Sequence, residues 1–480
     1  MRAGYDARPL LFNSVEFAVF FVVVFFAYWA LARTRTLRLV LLTSAGLFFY
    51  GSWNWQYLFL LLGTSSFDWF VGLMLGRTPS ERGRKAWIAA TVVSNLAMLA
   101  VFKYFDFFAD TVARGLAGFG VRASVPHLDV ILPVGISFYT FHSLSYTIDV
   151  YRRVIPTEKS LLKFLLFISF FPALVAGPII RAKDFLHQID ADPRIQEGTR
   201  GVFLILCGLV KKVVIADYLA VNIVDRVFEM PERYTTLEAW GAVYGYALRI
   251  YGDFSGYSDI ALGSALLMGF RLKQNFDAPY RATDLQDFWR RWHISLSSWL
   301  RDYLYVPLGG NRLGPWKTYR NLLLTMLLGG LWHGAAWTFV IWGAIHGVGL
   351  AVARALQRRR EARGAPAHAP WRRLLGGFVT FHYVCLGWVF FRAQTLDEAR
   401  RMLARMVSWT PGAANLAPTV LLALAAGFAF HYVPDRIVER TQETFGRLPA
   451  LAQGAVVTAV VAGVAYATTS DVLPFIYFQF

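Results

Sequence analysis

The chain has 480 residues, of which 56% are hydrophobic, 16% aromatic and only 16% charged, with a mean hydropathy of +0.43. A soluble domain carries roughly 25% charged residues, so this composition excludes one and points to a membrane protein. The net charge of +17 does not signal a nucleic-acid partner: Lys and Arg sit in short loops between apolar runs, which marks the cytoplasmic face and contact with anionic lipid.

In chain order, apolar runs near 16–33, 37–52, 57–76, 86–104, 128–148, 161–180, 200–223, 238–270, 321–353, 372–391, 415–433 and 451–469 are each about long enough to span a bilayer. They predict an all-α polytopic membrane protein with about 10–12 transmembrane helices, re-entrant or interfacial helices between them, and no separate soluble domain across residues 1–480. Ala30-Leu31-Ala32 resembles a signal-peptidase site, but the run before it is long and Glu16 interrupts its basic flank, so a retained first helix is expected. Arg33, Arg35 and Arg38, then Arg77, Arg82, Arg84 and Lys85, and later Arg354, Arg358, Arg359, Arg360, Arg363, Arg372 and Arg373 place their loops inside the cell. Cys207 and Cys385 are isolated and apolar in setting, without metal or disulfide spacing.

Buried acids come next. Asp68 and Asp149 are expected to pair with neighbouring Arg or Lys. Asp253 and Asp259 flank Phe254-Ser255-Gly256-Tyr257-Ser258, either as hydrogen-bonded glue between helices or as part of a pore wall. His142 lies in a hydroxyl-rich span and is read as a candidate cavity residue, whereas His382 and His431 read as satisfied packing residues. No internal repeat, P-loop, dinucleotide motif or serine-nucleophile elbow occurs.

The segment 271–320 differs from the rest in its density of Arg, Asp, Trp and Tyr, and fits a re-entrant or interfacial helix. On a helix from about 285 to 300, Trp289, His293 and Ser297 would share one face at i, i+4 and i+8. The run 321–353 would be roughly 50 Å as one straight helix, so it must bend, tilt steeply or split, with Gly329-Gly330 the expected place. His333 follows within Leu331-Trp332-His333-Gly334, and Trp337 stands one turn later. His346, 13 residues on (346 − 333), would point about 140° away on a continuous helix. An imidazole in hydrocarbon is costly unless paired, hydrated or in use, and it is well matched to proton transfer near neutral pH. His333 and His293 are therefore the candidate catalytic residues, weighed against structural packing and headgroup anchoring. The expected chemistry is His-based acid/base transfer with no tightly bound cofactor and no metal.

These residues carry a resemblance. The motifs Asn275-Phe276, Pro279-Tyr280, Asp287 through Ser297, Trp299 through Tyr303, Tyr305 through Arg312 and Leu331 through Gly334 resemble the membrane-bound O-acyltransferases, in particular the bacterial alginate O-acetylation branch. Further matches are Leu11 through Ser14, Leu132 through Phe138, Phe171-Pro172, Ala176 through Ile179, Asp253 through Ile260 and Gly387 through Ala393. The resemblance implies a helical fold around a central tunnel, with residues 271–345 as the active-site core. It also implies His333 as general base and His293 as the second polar residue of the site. A cytoplasmic acyl thioester such as acetyl-CoA would be the donor. A polysaccharide, reached directly or through a periplasmic acetyltransferase partner, would be the acceptor, with the chain in the bacterial inner membrane and no nucleic acid involved. Trp289, Arg290, Arg291, Ser297, Arg301, Trp332 and Trp337 are the expected substrate-binding residues, the arginines meeting donor phosphates or pairing with Asp284, Asp287 and Asp302. The rival readings are a transporter with a His/Asp proton relay, and a scaffold whose histidines are anchors.

Overall fold

A computed structural model describes residues 10–121, 124–128, 130, 132–175, 177–195, 197–364, 370–467 and 475. Ala176, residues 129 and 131 of the 128–148 run, 365–369 of the basic stretch and 468–469 of the last run lie outside them. Among the described residues the regular structure is helical and no strand occurs. They form two units, Met1–Gly198 with Ser264–Lys273, and Thr199–Gly263 with Gln274–Phe480.

The first unit holds α1 (Val15–Ala30), α2 (Arg35–Gly51), α3 (Tyr57–Arg77), and α4 (Glu81–Leu99), which passes through a π turn at Ala100–Tyr104 into α5 (Phe105–Gly118). After these come α6 (Ile136–Tyr151), α7 (Leu161–Ser169), α8 (Phe171–Leu174) and α9 (Ala182–Asp190). Ser14 starts α1 by accepting the Phe17 amide at 3.1 Å, and Ser80 starts α4 by accepting that of Gly83 at 3.2 Å. Asp68 does not find the basic partner expected of it. It is buried among polar neutral groups: Asn95 donates to both carboxylate oxygens at 3.1 and 3.0 Å, Ser143 donates at 2.5 Å, and Thr91 donates as well. Several donors on a carboxylate replace its lost hydration as a cation would. His142 is buried, its Nε2 accepting the Ile180 amide at 3.2 Å, which makes it a tether for that backbone.

The second unit begins with α10 (Gly198–Leu209), continued by π-helical Val210–Asp217 and Ala220–Val224 into α11 (Asp225–Glu229). The long α12 (Thr236–Leu267) precedes two short helices, α13 (Leu285–Arg291) and α14 (Ile294–Leu300). The remainder is α15 (Pro315–His333), α16 (Trp337–Ala362), α17 (Pro370–Arg392), α18 (Leu396–Met406), α19 (Pro418–Tyr432), α20 (Asp435–Arg447) and α21 (Ala450–Ala467). Helices α10 and α12 meet backbone to backbone. A Cβ at Gly208 would stand 2.5 Å from the Gly256 carbonyl oxygen, and one at Gly256 would stand 2.6 Å from that of Gly208. Small residues at such a crossing let polar backbone approach where lipid offers no hydrophobic drive between helices.

Charge pairing across this contact decides between the two readings of Asp253 and Asp259. Lys211 Nζ lies 2.6 Å from Asp259, while Lys212 Nζ lies 2.5 Å from Asp253 and 2.6 Å from Asp217. Two consecutive lysines in the π-helical stretch thus neutralise the carboxylates at both ends of the Asp253-to-Asp259 motif. The motif joins helices.

Among the described residues, five helical segments are long and apolar enough to cross a membrane: α3, the continuous Glu81–Gly118, α16, α17 and α21. Helices α19 and α20, bent by 91° to each other, make a sixth if taken together. Helix α1 is apolar but only 16 residues long, and other runs are cut or carry charges. Run 161–180 is split between α7 and α8 beside Pro172, and 200–223 carries Lys211, Lys212 and Asp217.

The 321–353 run is a helical hairpin, and its break is not at the Gly329-Gly330 pair. It falls at 334–336, between α15 and α16. The glycines serve helix packing instead. A Cβ at Gly330 would stand 3.3 Å from Gly343 Cα, and one at Gly347 would stand 2.9 Å from Leu323 Cα, which sets α15 and α16 antiparallel in close contact.

Candidate active site

His333 is the last residue of α15, with Gly334 leaving the helix in extended conformation. Gly334 is required by a close approach, since a Cβ there would run into the Phe339 ring. The His333 imidazole is buried, with ring centroids 4.9 Å from Trp332, 5.1 Å from Trp342 and 5.1 Å from Phe391. Helix carbonyls without amide partners gather at this end, and their negative dipole favours an imidazolium formed there.

His293 is reached by a different device. Helix α13 starts at Asp284, whose carboxylate accepts the Asp287 amide at 2.8 Å, and it ends at Arg291. His293 then adopts φ 42° and ψ 56°, a left-handed conformation uncommon outside glycine, before α14 begins at Ile294. Asn275 holds this turn. Its carbonyl accepts the Ile294 amide at 2.8 Å, and its side-chain oxygen accepts the Ser295 hydroxyl at 2.6 Å and the Ser295 amide at 3.3 Å. Its side-chain nitrogen donates to Ser258 at 3.2 Å, tying the turn to the Asp253-to-Asp259 motif. His293 is wholly buried, its ring perpendicular to Phe254 at 4.6 Å and 6.2 Å from Trp332. It lies in none of the span-length helices, and desolvation lowers its pKa from 6.5 to about 3, which keeps the ring uncharged at neutral pH.

The two histidines therefore share one aromatic neighbour, the indole of Trp332. Phe475 packs at 5.4 Å on Phe254 and 4.7 Å on Tyr257, extending the same aromatic layer.

The expected stripe of Trp289, His293 and Ser297 does not form. Helical spacing assumed one helix, and the left-handed residue at 293 ends it. Trp289 turns instead to α16, where its indole N–H donates to His346 Nδ1 at 3.3 Å. Ser297 donates to the Trp292 carbonyl at 3.0 Å. Arg291 pairs with Asp287 at 3.0 Å and Asp277 at 3.3 Å, and Arg301 pairs with Asp302 at 2.7 Å. Arg290 is exposed, and Trp337 is half exposed at the first position of α16. His382 is satisfied by Tyr244 at 2.9 Å and the Phe378 carbonyl at 2.8 Å, and His431 accepts the Tyr280 amide at 3.0 Å.

Sequence reasoning gave no role to Asn275 or Trp342, and set His346 apart from the site. The i, i+4 spacing of Trp342 and His346 was visible, but only the hairpin brings that face back to His333. Replacing Asn275 with Ala strips the Ser295 amide and hydroxyl of their acceptor. A loss of about 1–3 kcal/mol is expected, read as a lower unfolding midpoint in detergent; an unchanged midpoint would mean that Asn275 does not hold the turn.

A polytopic helical membrane protein with two buried histidines about one tryptophan is the class that fold and site define. The family model of the membrane-bound O-acyltransferases matches residues 136–393, and the chain belongs to that family. It is similar to a "Probable alginate O-acetylase AlgI" of Azotobacter vinelandii, 43% identical over 424 residues, 87% of this chain and 82% of that protein. The peptidoglycan O-acetyltransferase of Helicobacter pylori is 37% identical over 432 residues, covering 83% and 80% of the two chains. A more distant relative is the teichoic acid D-alanyltransferase of Streptococcus thermophilus, 30% identical over 289 residues, 54% of this chain and 68% of that one. The protein is thus a multi-pass membrane O-acyltransferase, and the transporter reading is not favoured.

Proposed function

We propose that this chain takes an acetyl group from acetyl-CoA or a similar acyl thioester on the cytoplasmic side and passes it to hydroxyls of an extracellular polysaccharide. Transfer is direct or through a periplasmic partner protein, in the inner membrane of a bacterium. The observation that carries this reading is that His333 and His293 both pack against the Trp332 indole, buried within the residues that the family model covers. The naming of relatives for acetyl transfer to alginate and to peptidoglycan supports the substrate class.

In this reading His333 removes the proton of the acceptor hydroxyl as its oxygen attacks the thioester carbonyl. The tetrahedral adduct collapses to the ester, the carbon–sulfur bond breaks, and the proton held by His333 goes to the departing thiolate. The negative end of α15 stabilises the imidazolium between these two events. His293, uncharged, offers a ring N–H to the donor carbonyl or its oxyanion. Trp332 packs against both histidines. Exposed Arg290 is the basic residue of this segment best suited to meet donor phosphates, since Arg291 and Arg301 are held by Asp287, Asp277 and Asp302.

The test is the chain in nanodiscs with acetyl-labelled acetyl-CoA, with and without alginate or peptidoglycan fragments. Thioester consumption with label appearing in polymer, or on an added periplasmic partner, is expected. Proton-coupled flux with no thioester consumed under any acceptor would sink the reading.

A further inference from the structure

His346 is another buried histidine, packed from α16 against α13 and α17, and the proposed reaction gives it no step. Its ring centroid lies 4.8 Å from Trp342, and Trp342 lies 5.1 Å from His333, so one indole packs against both imidazoles. On its other edge His346 Nδ1 accepts the Trp289 indole N–H at 3.3 Å. That bond fixes the tautomer: Nδ1 carries the lone pair and Nε2 the proton. Nε2 has no hydrogen-bond partner among the described residues. It rests against α17 at Gly387, where a Cβ would stand 2.9 Å from Nε2 and 3.3 Å from Trp342 Cδ1. A side chain at 387 would push the ring off its seat. The layer is closed by Trp388, stacked on Trp342 at 6.2 Å and 19°.

We propose that His346 is a positioning residue of the acyl-transfer site: held in one tautomer by Trp289, it sets Trp342, and Trp342 sets the His333 ring. The proposal rests on the reading of His333 as base. His346 touches neither donor nor acceptor in it. A rigid indole passes orientation from one ring to the next, and misplacing a reacting group by about 1 Å costs on the order of 100-fold in rate.

Amide substitutions separate hydrogen bonding from packing. Asn places its oxygen where Nδ1 stands, so His346→Asn keeps an acceptor for Trp289, whereas His346→Gln puts its amide at the Nε2 position and does not. Retained volume ranks the two the other way, because Gln is closer in size to His. In nanodiscs with acetyl-labelled acetyl-CoA, His346→Asn should keep kcat within about 3-fold of native. His346→Gln and Trp289→Phe should each lower kcat roughly 10- to 100-fold, with the donor KM within about 2-fold. Trp289→Phe removes the N–H from the partner's side and serves where a His346 variant folds poorly. Gly387→Ala should fall with the Gln variant, and His346→Gln combined with Trp289→Phe should be no worse than either alone. Gln at least as active as Asn, or Trp289→Phe at native kcat, would overturn the proposal. A His333→Gln control run beside them distinguishes the two levels: if it stays active, the reading of the site fails, and if it is dead while the His346 set is unaffected, the positioning role fails.

Discussion

His333→Gln should lower acyl transfer by about 10²- to 10⁴-fold while the protein remains folded in nanodiscs. Glutamine keeps a polar group of similar reach but cannot take up a proton, so the substitution removes base chemistry with little change in packing. The fold should tolerate it because the α15–α16 hairpin is also held by close glycine contacts at Gly330, Gly343 and Gly347. Loss of kcat with donor binding kept would place the effect in the chemical step. Activity within a few-fold of native in well-folded protein would remove His333 from proton transfer.

Lys212→Met should be the most damaging single change outside the site, destabilising the second unit by about 3–5 kcal/mol. Lys212 is buried, its Nζ 2.5 Å from Asp253 and 2.6 Å from Asp217. Methionine preserves the stem's bulk and removes the charge, leaving two carboxylates without their common lysine. Desolvated charge is tolerated only when paired, which is why deleting one partner costs more than the pair contributes. Replacing Asp253 with Leu in the Lys212→Met background should recover part of the loss, as the more deeply buried acid is then gone too. Denaturant titration in mixed micelles measures both. A Lys212→Met shift under about 1 kcal/mol, or a double variant worse than the single, would show that this triad does not hold α12 to the preceding π-helical stretch.

Much of this could be seen in the chain before folding. Low charge, recurring apolar runs and basic loops dictate a polytopic helical protein because hydrocarbon tolerates no unsatisfied backbone. The histidine in Leu331-Trp332-His333-Gly334 stands out because an imidazole in an apolar run is costly without a use. Asp253 and Asp259 were visible as unusual, though not their partners.

What the residues dictate one at a time is composition, periodicity and chemical type, and from these follow the membrane class and the two histidines. What only the tertiary structure decided is direction. Periodicity presumes that a helix continues, and a left-handed residue at His293 or an extended glycine at 334 ends it without any change in hydropathy. The first sends Trp289 away from His293 and into a bond with His346. The second folds α16 back on α15, so that His346, 13 residues along from His333, shares Trp342 with it. Likewise Lys211 and Lys212, adjacent in the chain, reach acids six positions apart (259 − 253) because two glycine-lined helices approach to backbone contact. Helical spacing is a local property of the backbone, whereas ring-to-ring and charge-to-charge meetings depend on where the chain turns, and a turn costs too few residues to leave a mark on either pattern.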